Sequence, residues 1–163
     1  MKFIVIIILF LSSSNDLKLM RSEFNQINKS EEAVVKLKKI STTTKEVSDA
    51  LKLAYYAAAE MTSAKYKLNP ASKINAFNSG KKILETAIAK DANNIEIRYI
   101  RFTIQSNAPS ILGYNKNTTD DKNFIFKNLQ VIKKTDIELF ANISAYFLTQ
   151  VKLTEQEKKI IND

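Results

Sequence analysis

Apolar and alanine positions recur every three or four residues through most of this chain, the spacing that keeps them on one side of a helix. Over 45–66, and just beyond, Leu53, Ala54, Ala57, Met61, Ala64 and Leu68 fall on one side at about 100° per residue. So many small residues let a neighbouring helix approach closely, so this segment is expected to be central. Further helices are expected over about 16–28 and 31–40, with "STTT" as the link to the alanine-rich helix. "NPAS" restarts the chain, Asn69 as cap and Pro70 in the first turn of a helix running to about Lys90. After the "DANN" turn a fifth helix runs until Pro109, and two more are expected over 124–133 and 136–151. "EQEKKII" reads as a short frayed tail.

Start signals support this division. Ser30 precedes Glu31 and Glu32, acids suited to the positive end of a helix. Thr43 with Glu46, Thr135 with Glu138 and Thr154 with Glu157 fit the capping box, and Asn93 with Glu96 resembles another cap. Two glycines and two prolines are too few for the turns of an all-β chain. The fifth segment, "IEIRYIRFTI", is β-branched and roughly alternating, which is strand-like. No partner strand can be identified, so it is read as a helix. The expected fold is all-α: about seven helices in an irregular bundle or a short tetratricopeptide-like array of antiparallel helix hairpins. Residues 15–163 form one domain behind a leader at 1–14.

Two resemblances bear on this reading. "ILETAIAKDANNIEIRYIR" resembles the junction between two tetratricopeptide-type repeats. Ala87 falls at the family's packing alanine, Leu84 at a large apolar position and Gly80 where a small residue lets two helices cross. Ala92 replaces the usual proline, and Arg98 and Arg101 stand where a large aromatic and a leucine are preferred. The likeness covers about one repeat of 34 residues, and a solenoid needs about three. The ordered pieces "AKYKLNP", "FNSGKKILETAI", "NNIEIRYIRFTIQSNAP", "LGYN" and "DDKNFI" resemble an uncharacterised family of small exported proteins from Bacteroidetes-type bacteria. That likeness implies a bacterial, exported, helical protein and no particular activity.

The N-terminus agrees with export. In "MKFIVIIILFLSSS", Lys2 supplies a positive start, 3–11 an apolar run and the serines a cleavage zone, with Ser12 and Ser14 placed for cleavage before Asn15. The apolar run is far short of the roughly 20 residues a spanning helix needs. Export to the periplasm or beyond is expected, with no transmembrane segment in the mature chain. The formal charge is +8, and removing a leader with one lysine leaves +7. The lysines are scattered, with no block of five, so a solvated basic surface explains them better than an anion-seeking face. No nucleic-acid motif is present.

The chain has no histidine and no cysteine. That removes zinc sites, Cys-His pairs, Ser-His-Asp triads and disulfides. Gly80 and Gly113 are isolated, so there is no phosphate-cradling glycine loop. No cofactor, metal site or catalytic residue is assigned. Asp120 and Asp121 lack the spaced oxygen ligands of a calcium loop and read as first-turn acids behind a Thr118 or Thr119 cap. Sequons at Asn28, Asn117 and Asn142 would matter only in a eukaryotic secretory route.

One polar stripe stands out. On a helical wheel Arg98, Arg101 and Gln105 span about 60°, with Ile95, Tyr99 and Phe102 on one flank and Ile97, Ile100 and Ile104 on the other. Two arginines one turn apart repel unless an anion lies between them, and no acid precedes either by three or four residues. An internal counterion is the simpler reading, with Glu60 or Glu85 expected to supply it. The functional alternative is capture of a carboxylate, phosphate or sulfate by Arg98 and Arg101, with Gln105 and Asn107 as amide donors. Tyr55, Tyr56, Tyr66, Tyr99 and Tyr114 could line a recognition groove, although buried tyrosine is more often core. The sequence therefore points to an exported, non-catalytic module that binds another protein or a small anion. An enzyme holding an anionic substrate on the arginine pair, with an acid such as Glu60 as base, is the alternative. A structural or membrane-surface protein is a third.

Overall fold

The structure, a computed structural model, describes residues 15–45 and 47–163. The expected leader lies outside the described residues, as does Glu46 of the expected Thr43 capping box. Eight helices and no strand are present among the described residues, so the fold is all-α. Helix α1 occupies 15–24, followed by α2 (Glu31–Thr43), α3 (Asp49–Ser63), α4 (Pro70–Lys90), α5 (Ile95–Asn107), α6 (Thr118–Thr135), α7 (Ile137–Gln150) and α8 (Glu155–Asn162). Backbone contacts group the chain into two compact units, one ending at Ala92 and one running Asn93–Asp163. The boundary falls in the "DANN" turn.

In the first unit α3 packs against both α2 and α4, the central place its alanines imply. Ala54, Ala57, Ala58 and Ala59 are fully enclosed. Gly80 sits where α4 closely approaches α3: a Cβ there would collide with Met61 Cγ and lie 2.8 Å from the Ala57 carbonyl oxygen. Leu84 and Ala87 continue the buried face of α4. Asn69 caps this helix, its side-chain oxygen accepting from the Ala71 and Ser72 amides.

Several boundaries differ from the sequence reading. α3 begins at Asp49, with Ser48 accepting from the Leu51 amide, and gives way to a 3-10 turn at Ala64–Tyr66. Leu68 lies beyond it and is exposed. The "STTT" link is largely helix. Ser41, Thr42 and Thr43 lie in the last turn of α2 and return their hydroxyls to carbonyls three or four residues back. Such back-bonding satisfies the hydroxyl without a turn.

In the second unit α6 packs against α5, α7 and α8. The strand-like segment is helical as expected, capped by Asn94, one residue later than Asn93, and ending ahead of Pro109. α6 starts at Thr118, six residues earlier than expected. Asp136 caps α7 by accepting from the Leu139 amide, in place of the expected Thr135 box. The core is aromatic: the Phe102 and Phe147 rings stack with centroids 4.9 Å apart, and Phe126 meets Phe147 edge-on at 5.0 Å. The tail expected to fray is instead docked. Thr154 and Glu157 complete the capping box, Lys122 on α6 pairs with Glu157 at 2.7 Å, Gln130 donates to the Ile160 carbonyl, and Ile161 is buried.

Candidate functional site

The arginine stripe is met by a carboxylate on the next helix. Arg101 Nε donates to Asp121 Oδ2 at 2.7 Å and its Nη2 to Oδ1 at 2.8 Å, while Arg98 Nη1 donates to the same Oδ1 at 2.8 Å. The Asp121 side chain is 0% exposed, Arg101 4% and Arg98 20%. The Arg98 guanidinium also lies over the Phe124 ring, 5.1 Å from its centroid. Asp121 sits in the first turn of α6, where the helix dipole favours a negative charge.

Asp121, which was not among the expected counterions, is thus a carboxylate shared by both arginines. Glu60 on α3 is engaged by Lys38 of α2. In the sequence Asp121 is legible as a first-turn acid, and nothing within its own helix ties it to the arginines. The signal available was spacing: 20 residues separate it from Arg101, the reach of a helical hairpin.

The amides of the stripe are also engaged. Gln105 is buried, its Nε2 donating to Asn117 Oδ1 at 3.3 Å and its Oε1 accepting from the Asn117 amide at 3.2 Å. The Asn117 side chain is therefore turned toward α5 and makes no cap bond to its own helix. Asn107 donates to the Thr103 carbonyl and to the Tyr146 hydroxyl, each within 2.9 Å. Burial raises the pKa of Tyr99 and of Tyr146 above the usual 10.0, so both hydroxyls stay protonated well into the alkaline range. Arg98, Arg101, Gln105 and Asn107 thus serve the α5–α6–α7 packing, Arg101 and Gln105 buried, Arg98 half-buried and Asn107 exposed.

A different concavity lies in the first unit. A groove of about 460 Å³ runs between the last turn of α2, the first half of α3 and the second half of α4. Asp49, Lys52, Leu53 and Tyr56 line it from α3, at the spacing of one helix face. Ser41 and Thr42 come from α2, and Ile83 and Lys90 from α4. Lys52 Nζ pairs with Asp49 at 2.8 Å and donates to the Thr44 carbonyl at 3.4 Å. The Asp49 carboxyl is held below its ordinary 3.8, chiefly by the hydrogen bond and charge of Lys52 with a smaller contribution from Lys90, so it is ionised at neutral pH. Tyr56 also faces Lys38, whose ammonium lies 5.9 Å from the ring centroid. Tyr55, Tyr99 and Tyr114 are buried; of the five tyrosines considered, Tyr56 lines this groove.

Among the described residues no group of three metal-ligating side chains occurs, and no helix is long and apolar enough to cross a membrane. The chain matches no protein-family model, no curated protein and no solved structure.

Proposed function

We propose that this is an exported, non-catalytic binding module whose ligand site is the α2–α3–α4 groove. One observation carries the reading. The arginines that looked most like an anion trap hold an internal carboxylate, whereas Lys52 and Lys90 stand in a groove whose volume lies within the range of about 300–1,000 Å³ usual for small-ligand pockets. The enzyme alternative needed both guanidinium groups and a carboxylate around one open pocket; the carboxylate they meet is enclosed, and Glu60 is tied to Lys38. Anion titration followed by amide chemical shifts tests the reading. Shifts are expected at groove residues and should weaken as salt rises. Shifts centred on Arg98 and Arg101, or turnover that survives purification and is lost in Arg98→Ala, would overturn it.

A second reading, binding of another protein, rests on α7. Ile137 and Leu148 are 66% and 50% exposed, and Ala141 and Ala145 between them are exposed on the same side. This helix carries one charged residue, Glu138, in a chain that is 26% charged. Leu148→Lys should abolish a crosslinked partner if this face is the contact, and should leave crosslinking intact if it is not.

A further inference from the structure

The groove is graded along its length. Lys52, Asp49 and Lys90 gather where α3 begins and α4 ends, while Leu53, Tyr56 and Ile83 lie further along. Lys90 and Ile83 are seven residues apart on α4, about 10 Å at 1.5 Å per residue. Among the described lining residues, the charges at the polar end are two ammonium groups and one carboxylate, an excess of one positive charge. A dianion would meet the ionised Asp49, whereas a monoanion balances the set. Ser41 and Thr42 donate their hydroxyls to carbonyls of their own helix, so the lysines are the donors an anionic head would meet.

Resting on the groove reading above, we propose that the ligand is a monocarboxylate with an apolar chain. Its carboxylate lies at Lys90 and Lys52 and its chain extends over Leu53, Tyr56 and Ile83. Neither half suffices alone. Lys52 already shares its charge with Asp49, which weakens its hold on a bare anion. A chain without a head would leave the polar end solvated and gain only the burial of its methylenes.

Calorimetric titration of the full chain with octanoate, acetate and inorganic phosphate tests this, with Lys90→Gln and Leu53→Gln beside the parent and circular dichroism as the check on folding. Octanoate should bind at least about tenfold more tightly than acetate or phosphate, and Lys90→Gln should weaken it about tenfold, the effect of losing one charge-assisted contact. Leu53→Gln should weaken octanoate and leave acetate unchanged. Lys90 is exposed, so its variant reads binding without disturbing the core. Phosphate or acetate binding as tightly as octanoate, with the effect of Lys90→Gln retained, would overturn the amphiphile assignment and leave the anion groove standing. Octanoate binding unchanged in both variants would place it elsewhere and overturn both. So would the absence of binding by all three probes.

Discussion

Arg101 holds Asp121 through two parallel hydrogen bonds, Nε to Oδ2 at 2.7 Å and Nη2 to Oδ1 at 2.8 Å, across the contact of α5 with α6. The fork-to-carboxylate match fixes rotation and register together, because a slip of either helix by one residue breaks both bonds. Burial of such a pair costs solvation on both sides, so its contribution is to choose one packing over others more than to add net stability.

Removing one partner should be expensive. Asp121→Asn leaves two guanidinium groups enclosed without that carboxylate and should cost about 3–5 kcal/mol. Arg98→Ala should cost clearly less than Arg101→Ala, since Arg98 is the more exposed. Replacing Arg101 and Asp121 together by Met and Leu should recover most of the loss. Thermal and urea unfolding check the order, and a double variant no better than Asp121→Asn would contradict it.

Gly80→Ala tests the α3–α4 contact. Alanine is the better helix former by about 1 kcal/mol. Its Cβ, however, would lie within 2.8 Å of the Ala57 carbonyl, which cannot move without its helix. Overpacking of about 1–3 kcal/mol should win, giving a lower unfolding temperature. Met61→Ala should relieve this only in part, because the backbone clash remains; complete rescue would show that the side chain alone sets the spacing.

Acid should release α8 before the rest of its unit. Burial raises the Glu157 pKa, but hydrogen bonds from Lys122 and Thr154 outweigh it and hold the carboxyl below its ordinary 4.5. A carboxylate depressed in the folded state adds stability above the unfolded value and loses it as pH falls through the folded one. Amide exchange in Glu155–Asn162 should therefore accelerate below about pH 4.5, and Glu157→Gln should remove that dependence. Uniform loss of protection across α5–α8 would show that α8 is no separate unit.

Alkali should act on α5 and α7. Tyr99 and Tyr146 both have raised values through burial, so their protonated forms stabilise the fold below pH 10, and that contribution is lost as pH rises through the folded values. Unfolding midpoints should fall above pH 10, with less dependence in Tyr99→Phe. An unchanged slope in that variant would assign the effect to other groups.

Helix identity was legible because local signals agreed with packing. Asn69 and Pro70 mark the start of α4 in any context, and the small residues of α3 announce a close neighbour. The start of α6 was obscured because Asn117, its cap position, directs its side chain to Gln105. α2 ran through "STTT" because threonine hydroxyls can bond back within a helix. The counterion was invisible for a different reason: a helical wheel shows which way arginines face, not what faces them. The groove was harder still, since it is assembled from three helices and only its α3 stripe has a sequence period.

The two links between α5 and α6 form a ladder. Gln105 joins Asn117, and four residues further from the turn on each helix Arg101 joins Asp121. The connection between them, with its 3-10 turn at Ser110–Leu112, its left-handed Gly113 and its buried Tyr114, is therefore a closed ring clamped at its neck. Ring closure depends only weakly on length, each doubling costing about 0.6 kcal/mol. The exposed tip around Ile111, and not the buried Tyr114, is thus where this unit can be lengthened or relabelled, the two rungs holding the register of the helices on either side.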